Sequence, residues 1–132
     1  MSDVLIVDDQ AAQRRLLRRC VERDGVSVVE AESAEQALVL ASQSQPKVAF
    51  CDVDLPPGRN GFWLAGEFHR LYPTTVIVMV TSNDRVDAVV TGVRAGVKVY
   101  LVKPVAVERV RETLDAALAE HAARVRLAAE GS

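Results

Sequence analysis

Apolar and polar positions along this chain fall into blocks with two different periods. Unbroken apolar runs at 4–7, 48–51 and 76–80 have the pattern of strands buried on both faces of a parallel sheet. Runs interrupted by polar residues at 26–30 and 97–102 complete a set of five strands. Between them the apolar residues recur at helical spacing. Over 11–23, Ala12, Leu16 and Cys20, joined by Leu17 and Val21, predict one buried face with arginines opposite. Asp24-Gly25 ends that helix. Ser33 with Gln36 at capping-box spacing opens a second helix to about Ser44, with Ala37, Leu38 and Ala41 apolar, and Gln45-Pro46 breaks it. Asn60-Gly61 opens a third through Leu71, offering Phe62, Leu64, Ala65 and Phe68 for burial, and Tyr72-Pro73 closes it. A fourth helix is predicted over 85–95 before Ala95-Gly96, and a last one from Val107 to about Ala129. Alternating strands and helices predict an α/β sandwich with right-handed crossovers.

The fourth helix carries Val89, Val90, Thr91, Gly92 and Val93, all mediocre or poor helix formers, so it is easily repositioned. The last helix would run ~35 Å, roughly twice what packing on a small sheet requires. Its stripe of Val107, Val110, Leu114, Ala117 and His121 continues faintly through Val125 and Ala128. The domain is therefore expected over 1–120. Residues 121–132 are expected to be an extension: a solvated tail, or a helical lead into a homodimer partner or an output domain, of which we favour the second.

Composition narrows the class. The 132 residues suffice for one core, and 49% hydrophobic with 26% charged residues is too apolar for disorder. A net charge of -2 argues against direct nucleic-acid binding. Arg14, Arg15, Arg18, Arg19 and Arg23 read as a solvated helix face. Cys20 and Cys51 lie in apolar segments and read as core residues. His69 and His121 lack neighbours at metal-ligand spacing and read as surface residues, and Trp63 as packing. No apolar run reaches membrane-spanning length, and Met1-Ser2-Asp3 leads straight into a strand, which predicts a cytoplasmic protein.

Chemistry collects at the strand ends. The first strand ends in Asp8 and Asp9, the third in Asp52, the fourth in Thr81 and the fifth in Lys103. Taken singly, an Asp here is a turn former or cap, a Thr a cap and a Lys a solvated cation. In a parallel sheet all of them share one rim. Three clustered carboxylates repel each other, and a hard divalent cation such as Mg2+ is the simplest explanation for keeping them together. A lysine and a hydroxyl beside such a site suit a phosphoryl group. Asp52, directly at its strand end, is the candidate nucleophile for an aspartyl-phosphate.

These residues carry a resemblance. Val7-Asp8-Asp9, Asp52 with Pro56 four residues on, Val80-Thr81-Ser82, Ala95-Gly96 and Tyr100-Leu101-Val102-Lys103-Pro104 resemble the receiver domain of two-component response regulators, over residues 3 to about 120. The resemblance implies a flavodoxin-like (βα)5 sandwich with five parallel strands in the order 2-1-3-4-5. It implies phosphoryl transfer to Asp52 from a sensor histidine kinase or phosphotransfer protein. It further implies Mg2+ on Asp9, Asp52 and the Asp54 backbone carbonyl with Asp8 assisting, Lys103 on the phosphoryl group, and Thr81 and Tyr100 as the switch. A cis Lys103-Pro104 bond is expected too. The resemblance also implies that Asp54 and Asn83 fall where side chains tune the lifetime of the acyl-phosphate.

The chain departs from the pattern in three places. Pro56-Pro57-Gly58-Arg59-Asn60 makes the loop after Asp52 one residue longer, so the glycine falls at Gly61. An acid stands at Asp54, and Val105 replaces the usual phenylalanine. Two alternatives stay open. Asp52-Val53-Asp54 has the Asp-x-Asp form of haloacid-dehalogenase-like phosphotransferases, which carry it on their first strand. A receiver-like interaction module that takes no phosphate is the other.

Overall fold

Every residue of the three inner strands is buried, which is why their sequence is uninterrupted apolar rather than alternating. A computed structural model describes residues 2–23, 25–55, 59–82, 97 and 99–131. The elements are β1 (Val4–Val7), α1 (Ala11–Val21), β2 (Val28–Ala31), α2 (Ala34–Gln43), β3 (Val48–Asp52), α3 (Gly61–Leu71), β4 (Val76–Thr81), β5 (Val99–Val102) and α4 (Val107–Glu130). The strands are all parallel and lie in the order β2-β1-β3-β4-β5, the flavodoxin-like arrangement expected. The helix predicted over 85–95, with Ala95-Gly96, lies outside the described residues, as do Asn83 and Pro56-Pro57-Gly58.

Alternate strand residues feed two core layers. Leu5, Val7, Ala49, Cys51, Ile77 and Met79 pack with α2 and α3 through Ala37, Ala41, Leu64 and Phe68. Val4, Ile6, Val48, Phe50, Val78 and Val80 pack with α1 and α4 through Leu17, Cys20, Val21, Val110 and Leu114. Both cysteines are buried free thiols, and burial pushes Cys51 up to about 12.

Three sequence expectations need correction. The buried stripe of α1 is Leu17, Cys20 and Val21, while Ala12 is exposed and Leu16 is 55% exposed. Position 17 rather than 16 belongs to the set at i, i+3 and i+4 that meets the sheet. The strand β2 starts at Val28 rather than Val26, because Ser27 is bound to Asp3 by both backbone and side chain. Finally, neither Val107 nor His121 serves as an apolar core position of α4. Val107 is 40% exposed, and His121 Nδ1 donates to the Thr74 carbonyl at 2.7 Å. One turn on, Arg124 donates to the carbonyls of Pro73 at 3.3 Å and Thr75 at 3.2 Å. The helix runs unbroken to Glu130. Among the described residues no helix is long and apolar enough to cross a membrane.

Candidate functional site

The ladder delivers the site residues to one rim. Asp8 follows β1, and its N–H still donates to Ala31 at 3.1 Å, so its position is set by the sheet. Its Oδ1 accepts from the Gln10 N–H at 2.9 Å, forming the turn into α1, which has no capping side chain at Gln10. The bland role of such an acid is therefore met by one oxygen. The other oxygen, Oδ2, faces Lys103 Nζ at 3.3 Å. Asp52 closes β3 and is 6% exposed. Its Oδ1 accepts from the Asp54 N–H at 2.9 Å, and its Oδ2 receives Lys103 Nζ at 3.1 Å. Lys103 reaches this point because its own N–H donates to the Thr81 carbonyl at 2.7 Å, just past the Thr81↔Val102 register pair. The Lys103-Pro104 bond is cis. Thr81 ends β4 and is buried.

Oxygens of Asp8, Asp9 and Asp52 lie within 4.8 Å of one another. Burial first, and then the Asp52 charge, raise the Asp8 pKa against the pull of the Gln10 N–H. Burial draws the Lys103 pKa down, but Asp52 and Asp8 outweigh it, so the ammonium is held charged. Three carboxylates thus cluster where one lysine pairs with two of them, Asp8 and Asp52, a surplus of negative charge in a partly desolvated rim. The donor set fits Mg2+: all oxygen, with a spread near the ~4.2 Å between opposite ligands of an octahedral ion.

The start of α3 explains Gly61. Asn60 caps that helix by accepting from the Trp63 N–H at 3.0 Å, and Gly61 donates to the Val53 carbonyl at 3.3 Å. A Cβ at position 61 would run into the Asp52 carbonyl oxygen and come within 2.9 Å of Met79 Cε and Val53 Cα. Glycine lets the helix lie directly against the end of β3. The displaced glycine of the long loop therefore keeps the close approach.

The remaining candidates are nearby or outside the description. Asp54 is exposed, and its Oδ2 accepts from Ser82 Oγ at 3.3 Å. Tyr100 is half-buried against the layer shared with α2 and α3, and burial raises its pKa. Leu16, read as core, instead lines a cavity of about 360 Å³ with Leu17, Val80, Pro104 and Val105, open beside Asp8 and Lys103.

One residue that reaches the rim was read otherwise in the sequence. Arg14, assigned to a solvated face, donates from Nη1 to the Asp8 carbonyl at 2.8 Å, and its side chain is 17% exposed. Its partner Glu30 also holds Arg18. The signal available was an arginine six residues after Asp8 together with an acid ending the neighbouring strand.

Comparison with known proteins agrees with this geometry. The family described as response regulator receiver domain matches residues 4–115. Protein PilH of Pseudomonas aeruginosa is 35% identical over 121 residues, which is 90% of this chain and 99% of PilH. The KDP operon transcriptional regulatory protein KdpE of Escherichia coli is 33% identical over 123 residues, covering 93% of this chain and 54% of KdpE. The chain thus spans nearly all of the first and about half of the second. Among solved structures, a CheY-like receiver domain protein from Methanospirillum hungatei aligns with TM-score 0.86 at 27% identity, covering 94% of this chain and 98% of that one. The chemotaxis protein CheY4 of Vibrio cholerae aligns with TM-score 0.82 at 28% identity, covering 89% and 99%. The Asp-x-Asp of the dehalogenase-like alternative sits here on the third strand rather than the first. The chain belongs to the response regulator receiver domain family, signalling modules rather than classical enzymes.

Proposed function

We propose that Asp52 accepts a phosphoryl group from the phosphohistidine of a sensor histidine kinase or phosphotransfer protein, with Mg2+ at the rim. The observation that carries this is the three-carboxylate cluster with Lys103 spanning Asp8 and Asp52. Asp8, Asp9, Asp52 and the Asp54 carbonyl would hold the ion. The ion would neutralise phosphoryl charge during an in-line displacement. An Asp52 oxygen forms the new O–P bond as the N–P bond breaks. The leaving imidazole keeps the electron pair and takes a proton from solvent. Lys103 then follows the phosphoryl group, and the Thr81 hydroxyl turns toward a phosphoryl oxygen. Tyr100 moves with Thr81 and changes an output face made by the helix predicted over 85–95 together with β5 and α4. The cavity lined by Leu16 and Pro104 offers the donor protein a place beside Asp8 and Lys103.

Asp54 and Asn83 tune the lifetime of the acyl-phosphate, and Ser82 steers the Asp54 carboxylate. The last helix leads to a homodimer partner or an output domain. We place the protein in the cytoplasm. Incubation with acetyl phosphate and Mg2+, followed by intact mass, tests the main reading. Wild type should gain one phosphoryl group and Asp52→Asn none. An unmodified wild type would favour the receiver-like interaction module instead.

A further inference from the structure

We infer that Arg14, braced by Glu30, is a positioning residue for the cation site: it holds the Asp8-Asp9 peptide from behind. This rests on the reading of Asp8, Asp9 and Asp52 as the Mg2+ site. The carbonyl that Arg14 grips belongs to the peptide joining Asp8 to Asp9. Fixing that peptide plane fixes the direction in which both side chains leave the backbone. Arg14 is well placed for this, because its own N–H bonds the Gln10 carbonyl at 3.0 Å and anchors it in the first turn of α1. The guanidinium is planar and forked, so one edge can hold the carbonyl while Nε meets Glu30 Oε1 at 3.2 Å.

Glu30 gives the clamp its rigidity and its charge balance. It stands opposite Ile6 in the β1–β2 register, one strand away from the acids. Its second oxygen takes Arg18 Nη1 at 2.7 Å. The carboxylate is thus gripped from two turns of α1 and ties β2, α1 and the Asp8-Asp9 turn together. A bare positive charge behind a cation site would oppose the cation. Glu30, together with Glu22 on Arg18, balances the two arginines, so the loop gains a donor at little electrostatic cost to the ion. Groups that orient metal ligands without touching the metal influence affinity in this way.

The test is calorimetric titration with Mg2+ alone, without a phosphodonor, on wild type, Arg14→Ala, Arg14→Lys and Glu30→Gln. The denaturant midpoint in chelator is measured beside each. Arg14→Ala should weaken Mg2+ binding about tenfold. Arg14→Lys, which can still reach the carbonyl, should recover most of the loss. Glu30→Gln should weaken binding several-fold by uncovering the arginine charge, more so at low salt. A merely structural role would lower the midpoint without changing the Mg2+ affinity of the folded protein. Wild-type affinity in Arg14→Ala, or in Glu30→Gln if Arg14→Ala does not fold, overturns the inference. Failure of wild type itself to bind Mg2+ would instead overturn the reading it rests on.

Discussion

The two ends of the sheet both use side chains to hold backbone carbonyls, yet their charge balance differs. At the amino ends, Arg124 and His121 hold the carbonyls of residues 73–75, and Thr75 Oγ1 donates to the Pro46 carbonyl at 2.7 Å. The acid there, Asp3, meets Lys47 at 3.1 Å and accepts the Ser27 N–H at 2.9 Å. That backbone hydrogen bond and then Lys47 hold its pKa low despite some burial. At the carboxyl ends, Asp8 and Asp52 share Lys103 while Asp9 lies beside them, and the Asp8 pKa is pushed up. One end is matched acid to base and serves stability. The other is short of positive charge, a deficit that a bound divalent cation would offset.

The sharpest break in this comparison is Asp52→Asn. It should abolish phosphoryl uptake in the intact-mass experiment while leaving the thermal midpoint unchanged or higher, because it relieves crowding among like charges. A large fall in midpoint would show that Asp52 is a stabilising partner like Asp3. Next comes Gly61→Ala. Overpacking against the Asp52 carbonyl should cost about 1–3 kcal/mol in denaturant unfolding and weaken Mg2+ binding as well. A neutral result would mean that α3 shifts freely off β3.

At the opposite end, Arg124→Ala should lower stability by about 1 kcal/mol and leave phosphoryl uptake untouched. Coupling of that variant to uptake would break the division between the two ends. The acid response of Asp3 should be smaller still. Its native pKa lies below the unfolded value near 3.8, so its contribution is full above that pH and is lost as pH falls through the native value. Asp3→Asn should therefore differ from wild type at neutral pH, with the gap closing in acid; a gap independent of pH would refute the pairing. Last, Asp54→Asn should change the decay half-life of the phosphorylated form with no effect on stability, since Asp54 is exposed. An unchanged half-life would remove Asp54 from the tuning role.

Much of the site was legible because each of its groups terminates an apolar run. Asp52, Thr81 and Lys103 are visible as the abrupt polar ends of strands, and parallel strands must place such ends on one rim. The orientation of α1 was not legible in the same way. Leu16 and Leu17 both fit an apolar stripe in the sequence, and the phase is settled only where Arg14 and Arg18 meet Glu30. Arg14 itself looked like one more surface arginine. Its partners are a carbonyl, which carries no sequence signature, and an acid 16 residues away. His121 was misjudged for a like reason, since the Thr74 carbonyl is 47 residues distant.

The sequence alone determined the alternation of strands and helices, their parallel arrangement and the set of acids, hydroxyl and lysine at the rim. These follow from local periodicity and from where apolar runs stop, which short stretches of chain encode. Only the tertiary structure decided that Lys103 lies across Asp8 and Asp52, that Gly61 presses on the Asp52 carbonyl and that Arg14 stands behind Asp8. Those are contacts between distant segments. Their distances depend on how the helices seat on the sheet, and packing of the whole core sets that.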